Sequence, residues 1–531
     1  MPRTDSGAVT NRTTPDHLVA IIGAGLTGLG VGAELRRAGV EDFVMLERSE
    51  DVGGTWRDNN YPGVGVDVPT FAYQFSYFLK PDWTRVFAKG HEVQGYIHDF
   101  VDHFGLAPHI RFKTEVTTKT WDEDNHLWRL ALAGGGELTA RYVVFAVGAY
   151  IERRPPEFVG LEDYGGKILE PTDWDYDYDI AGKRVAVIGT GATSVQIIPS
   201  IAPDVEKLDV YQRTAIWILP KLDPKLPPWL KWMLGRFPRF ALANYYFANE
   251  VAELSLVKAI VRYAKVPFLQ KIFQLFSHAI LILLVRDRGL RRKLTPTYPF
   301  GGKRPSMSNN YWQAFTRDNV ELITTPIGRF TATGMQTRDG VHRPYDAVVL
   351  ATGYRMAYDP AAYREETRVS GANGFDLGTR FANERLKAYE GWTMSGLPNY
   401  FMVFCGYSAI GGSWHLTIES FARHVVRVVE ESVRRQATRA EIKTEALDRY
   451  HTMILEQSKT VLPYHLDCST ANSYYVDHHG DCTVMRPTST HQARRANKTF
   501  PLDDYGYDSL TPVATSENSV KAAATPPARA S

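Results

Sequence analysis

Short β-branched runs recur along the chain: LVAIIG at 18–23, FVMLE at 43–47, YVVFAVG at 142–148, RVAVIG at 184–189, LDVYQR at 208–213 and AVVLATG at 347–353. Each is tied to a helical pattern, and each is apolar through most of its length instead of alternating. Continuous apolar strands of this kind predict parallel sheets covered by helices on both faces, hence an α/β class with two sheets. Residues 221–295 break the rhythm with helical stretches rich in Trp, Phe, Tyr and Leu interleaved with Lys and Arg, which predicts a helical insertion. Residues 1–16 and 514–531 are small, polar or Pro-rich, with nothing to bury, and predict disordered tails.

Two of the strand-to-helix turns carry glycine patterns. GAGLTG at 23–28 follows the first strand and opens a helix. Gly23 permits the tight turn, Gly25 lets the backbone approach a pyrophosphate, and Gly28 allows close helix packing. The second strand ends in Glu47, twenty-four positions after Gly23, where a carboxylate can accept hydrogen bonds from a ribose 2′-hydroxyl. GTGATS at 189–194 repeats the arrangement with Ser194 in place of the third glycine. Its following strand ends in Gln212-Arg213-Thr214 with no acid, a setting that suits a 2′-phosphate and favours NADPH over NADH. One site reading a ribose and one reading a 2′-phosphate most simply pass a hydride from NADPH to a flavin. The expected organisation is two Rossmann-like dinucleotide-binding domains, for FAD and NADP: 17–150 with 346–513, and 151–220 with 296–345. The insertion at 221–295 falls within the second.

Composition narrows the picture further. In 531 residues, 61 Lys and Arg stand against 59 Asp and Glu, too balanced for a protein that coats nucleic acid. The imbalance is local: residues 221–293 hold fourteen Lys and Arg against Asp223, Glu250, Glu253 and Asp287. Cys405, Cys468 and Cys482 form neither a C-x-x-C pair nor a zinc knuckle, so disulfide reductase chemistry is excluded and a reducing compartment fits. The first residues lack the apolar core of a secretory signal, and the expected location is cytoplasmic. His478 and His479 with Asp477 and Asp481 lack a second cluster at zinc-like spacing, and no metal is expected.

Four stretches resemble the class B flavoprotein monooxygenases, and within them the Baeyer–Villiger monooxygenases. GGTWRDNNYPGVGVD at 53–67 fits the family pattern Gly-x-Trp-x4-aromatic-Pro-Gly-x3-Asp at Gly54, Trp56, Tyr61, Pro62, Gly63 and Asp67. The others are the second glycine turn with Gln196 and RTAIWILP, GGKRPSMSNNYWQAFTRDNVELI at 301–323, and AVVLATGY. One fingerprint departs: Tyr164, Gly166, Trp174 and Asp175 fit the family's linker motif, but Glu170 stands where His is expected. A group that titrates near neutrality has become one that normally does not. Glu170 is open to two roles, a linker hydrogen bond or an effect on the oxygenation.

The resemblance implies that NADPH reduces FAD, dioxygen adds at the flavin C4a, and the resulting peroxide attacks a carbonyl. It implies Arg304 as the arginine that stabilises the oxygen anions, Asp67 as the carboxylate orienting it, and Lys303 as a ligand of the 2′-phosphate. FAD contacts are expected at Gly23, Gly25, Gly28, Glu47, Thr55, Trp56, Asp67, Tyr73 and Val116. NADP contacts are expected at Tyr61, Gly189, Thr190, Gly191, Ser194, Gln196, Arg213, Thr214, Lys303 and Arg304. Tyr474, Tyr475 and RPTS at 486–489 are candidates for the substrate pocket of a small, apolar organic molecule. Oxygenation of a soft nitrogen or sulfur is the alternative within the class. A catalytically weak membrane or interaction protein on the same scaffold is the alternative outside it.

The insertion has two open readings. Lys258, Arg262 and Lys265 are expected to share a helical face beside Val257, Val261, Ala264 and Phe268. IFQLFSHAILILLV at 272–285 is apolar nearly all round yet short for a bilayer of roughly 30 Å, and a basic cluster follows it. Such a segment suits the surface of an anionic membrane, or a helical subdomain packed on the NADP domain.

Overall fold

The computed structural model describes residues 13–154 and 156–510, with Leu256 described by its backbone only. The expected tail at 514–531 and residues 1–12 lie outside the described residues. Thr13–Asp16, also expected in a tail, are placed: the Asp16 carboxylate accepts the amide and hydroxyl of Thr139, both at 2.8 Å, and these bonds hold its pKa below the usual carboxylate value.

The α/β class read from the sequence holds. An eight-stranded sheet runs in the order Val369–Ser370, Val116–Asp122, Leu127–Leu132, Glu137–Phe145, His17–Ile22, Phe43–Leu46, Ile110–Arg111, with Tyr400–Met402 also paired to Glu137–Phe145. Around the first glycine turn the pairing is parallel, Val19 beside Phe43 and Tyr142. The 22-residue helix Trp414–Arg435 packs across the helix Leu26–Arg37 and turns Phe421, Val425 and Val428 into the core. The second sheet has five parallel strands, Val320–Ile323, Lys207–Tyr211, Arg184–Ile188, Ala347–Leu350 and Lys167–Leu169.

Ala347–Leu350 therefore belongs to the second sheet, so the chain returns to the first sheet after residue 350 and not at 346. Buried parallel strands are alike in composition, and their apolar pattern does not say which sheet they join. The two chain crossings between the sheets lie side by side as an antiparallel ladder, Tyr150–Arg153 against Tyr354–Met356.

Among the described residues the insertion is helical, with Pro228–Arg236, Pro238–Ala252, Lys258–Val261, Pro267–Leu284 and Arg288–Leu294. The single face expected for Lys258, Arg262 and Lys265 does not form. The helix ends at Val261, Arg262 leaves helical geometry (φ −117°, ψ 35°), and Lys265 closes a short 3-10 turn. Val266 precedes Pro267, whose ring disfavours helical geometry before it and starts a new helix.

Candidate active site

At the first glycine turn, Gly23 has φ 102°, and a Cβ on Gly28 would lie 1.9 Å from the Gly23 carbonyl oxygen, so the helix can start this close only without a side chain. Gly25 caps the helix with no side-chain acceptor, leaving the first-turn N–H groups directed at whatever anion sits there. Gly53 donates its amide to the Ala24 carbonyl at 3.1 Å and lays the 53–67 stretch beside this turn.

Buried Glu47 accepts the amides of Ala24 at 2.9 Å and Ser49 at 3.0 Å, and pairs with Arg57 at 3.1 Å. Arg57, unassigned from the sequence, thus fixes the acid from within GGTWR. Trp56 donates its indole N–H to the Tyr73 hydroxyl at 3.0 Å, and burial pushes the Tyr73 pKa up. Thr55 is exposed at the start of the short helix Thr55–Asp58. Val116 follows Thr114, whose amide donates to the Glu47 carbonyl at 2.9 Å.

The second turn is built alike: Gly189 has φ 115°, and Gly191 caps Ala192–Ile201 without a side-chain acceptor. Thr190 donates its hydroxyl to the Thr214 carbonyl at 2.7 Å, tying the turn to the end of the next strand. Ser194 is fully buried at the close-packing position. Arg213 is exposed, and Lys303, 90 residues on, lies within reach of its charge: burial and the Arg213 charge hold the Lys303 pKa below the usual lysine value. Two cations within electrostatic reach of each other suit a multiply charged anion. Asn472, which the sequence did not single out, donates to the Thr214 hydroxyl at 2.9 Å from a left-handed turn (φ 48°).

The two cradles are joined through Gln196. Its side chain accepts the Tyr61 hydroxyl at 2.9 Å and donates to the Gly65 carbonyl at 2.9 Å. A Cβ on Gly63 would meet the Ser200 hydroxyl oxygen at 2.2 Å and the Gln196 carbonyl oxygen at 2.6 Å. Next to this joint, the Arg304 guanidinium grips Asp67 with contacts of 2.7, 2.7 and 3.1 Å. The Asp67 charge holds the Arg304 pKa well above its ordinary value. About 44% of the Arg304 side chain stays accessible although Tyr474, Tyr150 and Tyr475 are all close enough to act on its charge.

Residues 16–370 match the family model described as flavin-binding monooxygenase-like. The chain belongs to that family. A Baeyer-Villiger monooxygenase of Streptomyces coelicolor is 34% identical over 490 residues, 92% of each chain. Another, of Pseudomonas aeruginosa, is 37% identical over 434 residues, 82% of this chain and 81% of its own length. Among solved structures, an oxidised steroid monooxygenase bound to NADP superposes with TM-score 0.80 at 25% identity, covering 93% of this chain and 100% of that one. A complex of OTEMO with FAD and NADP gives TM-score 0.79 at 24% identity, covering 92% and 98%.

Within this flavin-binding monooxygenase-like chain, the departure at Glu170 has a physical partner. Its carboxylate forms an ion pair with Arg153, on the ladder that links the sheets. Tyr474 stands edge-on to Tyr150 with centroids 5.9 Å apart, on the Arg304 side. RPTS at 486–489 is elsewhere: Arg486 is buried against Glu390 at 2.7 Å, and Ser489 caps the helix Thr490–Thr499. An arginine that deep is held by its partner acid and serves the core.

Proposed function

We propose that this chain is a Baeyer–Villiger monooxygenase that binds FAD at Gly23–Gly28 and NADPH at Gly189–Ser194. A ketone, dioxygen, NADPH and a proton give an ester or lactone, NADP⁺ and water. FAD and NADPH, when bound, supply the reducing equivalents and the activation of oxygen. Glu47, steadied by Arg57, is the ribose acceptor of the first site. Arg213, Lys303 and Thr214 hold the 2′-phosphate of the second.

Arg304 is the fixed positive charge toward which oxygen anions develop, and Asp67 sets its direction. Tyr150, Tyr474 and Tyr475 give the neighbouring space aromatic walls, which suits an apolar substrate. We place the enzyme in the cytoplasm, with residues 221–295 against a membrane surface.

The observation that carries the proposal is the Arg304–Asp67 pair at the joint between two phosphate cradles. Support comes from relatives named Baeyer-Villiger monooxygenase at 34% and 37% identity. The test is a panel of ketones, sulfides and amines given to the yellow protein with NADPH, followed by product mass and connectivity. Ester or lactone from a ketone is expected. Sulfoxide or N-oxide as the only product makes it an oxygenase of another specificity, and a colourless protein that cannot be reconstituted with FAD overturns the proposal.

A further inference from the structure

The helix Pro267–Leu284 is apolar on its outward side as well as toward the protein, where Leu281 is fully buried and Phe273 stacks on Phe300. Three polar groups on the protein-facing side are hydrogen-bonded among these apolar contacts: Gln270 donates to the Phe300 carbonyl at 3.1 Å, Gln274 accepts the Phe300 amide at 3.1 Å, and Ser277 donates to the Ile218 carbonyl at 2.7 Å. Its outward stripe is apolar, with Phe268, Ile272, Leu275, Phe276, Ile282 and Leu283 all exposed, Leu283 at 77%. Ala279 and Lys271 complete the stripe. An ordinary surface helix keeps its outward side polar. The preceding helix Pro238–Ala252 repeats the feature in part, with Tyr246, Phe247 and Val251 exposed.

The charge around this face is mainly positive. The insertion's four acids are engaged internally: Asp223 with Arg85, Glu250 with His491, Glu253 with the Thr490 hydroxyl, and Asp287 as cap of its own helix. Among the described residues none of the fourteen Lys and Arg of residues 221–293 forms a salt bridge with a carboxylate of its own segment. Lys265, Lys271, Arg286, Arg288, Arg292 and Lys293 are exposed within, before and just after this helix. The helix is long and apolar enough by composition to cross a membrane. Its three polar contacts, with buried Leu281 and the Phe273–Phe300 stack, bind it lengthwise to the protein instead, so only one side is available.

We propose that this stripe lies in the plane of an anionic lipid leaflet, with Phe268, Ile272, Leu275, Phe276, Ile282 and Leu283 among the acyl chains and the flanking cations at the headgroups. This rests on the membrane reading of residues 221–295 and makes it specific to one helix face. An apolar patch alone fits a second protein surface equally well. The predominantly cationic surround selects an anionic leaflet. Lys271 lies on the stripe and reaches the headgroups by extending its stem.

The test uses the full-length flavoprotein with phosphatidylcholine vesicles and with mixed phosphatidylcholine–phosphatidylglycerol vesicles. Cosedimentation with the mixed vesicles at low salt is expected. The apparent affinity should fall at least about tenfold in Leu275→Glu/Phe276→Glu, and by a similar factor in Arg288→Glu/Arg292→Glu. These side chains are exposed, so flavin absorbance and NADPH oxidation should be unchanged in the variants, which separates failed docking from failed enzyme.

A polarity-sensitive fluorophore on Ala279→Cys, in a Cys468→Ser background, should shift to the blue with the mixed vesicles only. Absence of sedimentation at low salt overturns the proposal, as does full binding by Leu275→Glu/Phe276→Glu. A wild-type dimer that the same variant converts to monomer assigns the stripe to a second copy of this chain, and also overturns it.

Discussion

Replacing Arg213 tests the coenzyme site through two measurable consequences. Arg213 is exposed at the end of the strand Lys207–Tyr211, and its charge is one of the two causes that lower the Lys303 pKa. A charge-assisted hydrogen bond contributes about 1.5–3 kcal/mol, and at an exposed position the lower part of that range applies. Arg213→Gln should therefore cost NADPH about 2 kcal/mol, roughly a thirtyfold loss in kcat/KM. Arg213→Glu adds repulsion of about 1–2 kcal/mol at solvent-like screening, for a loss of a few hundredfold. NADH, which has no 2′-phosphate, should change by less than about twofold, so the preference ratio collapses by those factors.

The second consequence concerns pH. The Lys303 ammonium is the binding form, so NADPH binding weakens as pH rises through its lowered pKa. Removing the Arg213 charge takes away one cause of the lowering, and the alkaline limb of kcat/KM for NADPH should move upward. Burial, the larger cause, remains, so the limb should stay below an ordinary lysine's. Steady-state kinetics with both coenzymes across the pH range measures both effects. A preference ratio that Arg213→Glu leaves within about twofold of wild type would falsify the 2′-phosphate assignment.

Arg304→Ala should stay yellow but form no ester, with the remaining NADPH oxidation appearing as hydrogen peroxide; normal product formation removes Arg304 from the chemistry. Glu170→His breaks a half-exposed pair with Arg153 that is worth at most about 1 kcal/mol, so thermal stability should barely move while the ratio of product to NADPH consumed changes. Identical ratio and rate would leave Glu170 a structural residue. His415 is fully buried, with neither ring nitrogen hydrogen-bonded among the described residues, and burial lowers its pKa to about 3. Because the unfolded chain binds the proton first, the stability that neutral His415 allows is fully present above about pH 6.5 and declines toward pH 3. His415→Phe, among Tyr73 and Phe75, should flatten the fall of the unfolding midpoint between pH 7 and 5; an unchanged slope would show that other groups set it.

Both glycine turns were legible because a strand, a turn and a helix start are local, and Glu47 and Arg213 follow at short range. The Arg304–Asp67 pair spans 237 residues, and only motif resemblance put its members together before the fold did. Arg57 was visible in GGTWR, though nothing in its spacing says that it turns back onto Glu47. Asn472 reaches Thr214 across 258 residues through a left-handed turn, which no periodicity announces. The insertion misled for another reason. An apolar stripe with cations beside it satisfies a helical template, and the template passes over both the break at Arg262 and Pro267, which starts a new helix. The following helix is apolar nearly all round, so which side faces the protein is set by tertiary contacts, among them three hydrogen bonds to the backbone of Ile218 and Phe300.

The ladder of Tyr150–Arg153 with Tyr354–Met356 makes the second sheet a guest domain that leaves and re-enters its host at one place. Closing a loop of roughly 200 residues costs about 5 kcal/mol of chain entropy. Three paired positions begin to offset that cost, and Glu152 adds ion pairs with Arg355 and Arg364 at the same spot. The strand Tyr400–Met402, needed to complete the host sheet, is synthesised only after the guest. The guest can therefore reach its native form first and hand the host two ends already side by side, turning a distant encounter into a nearby one.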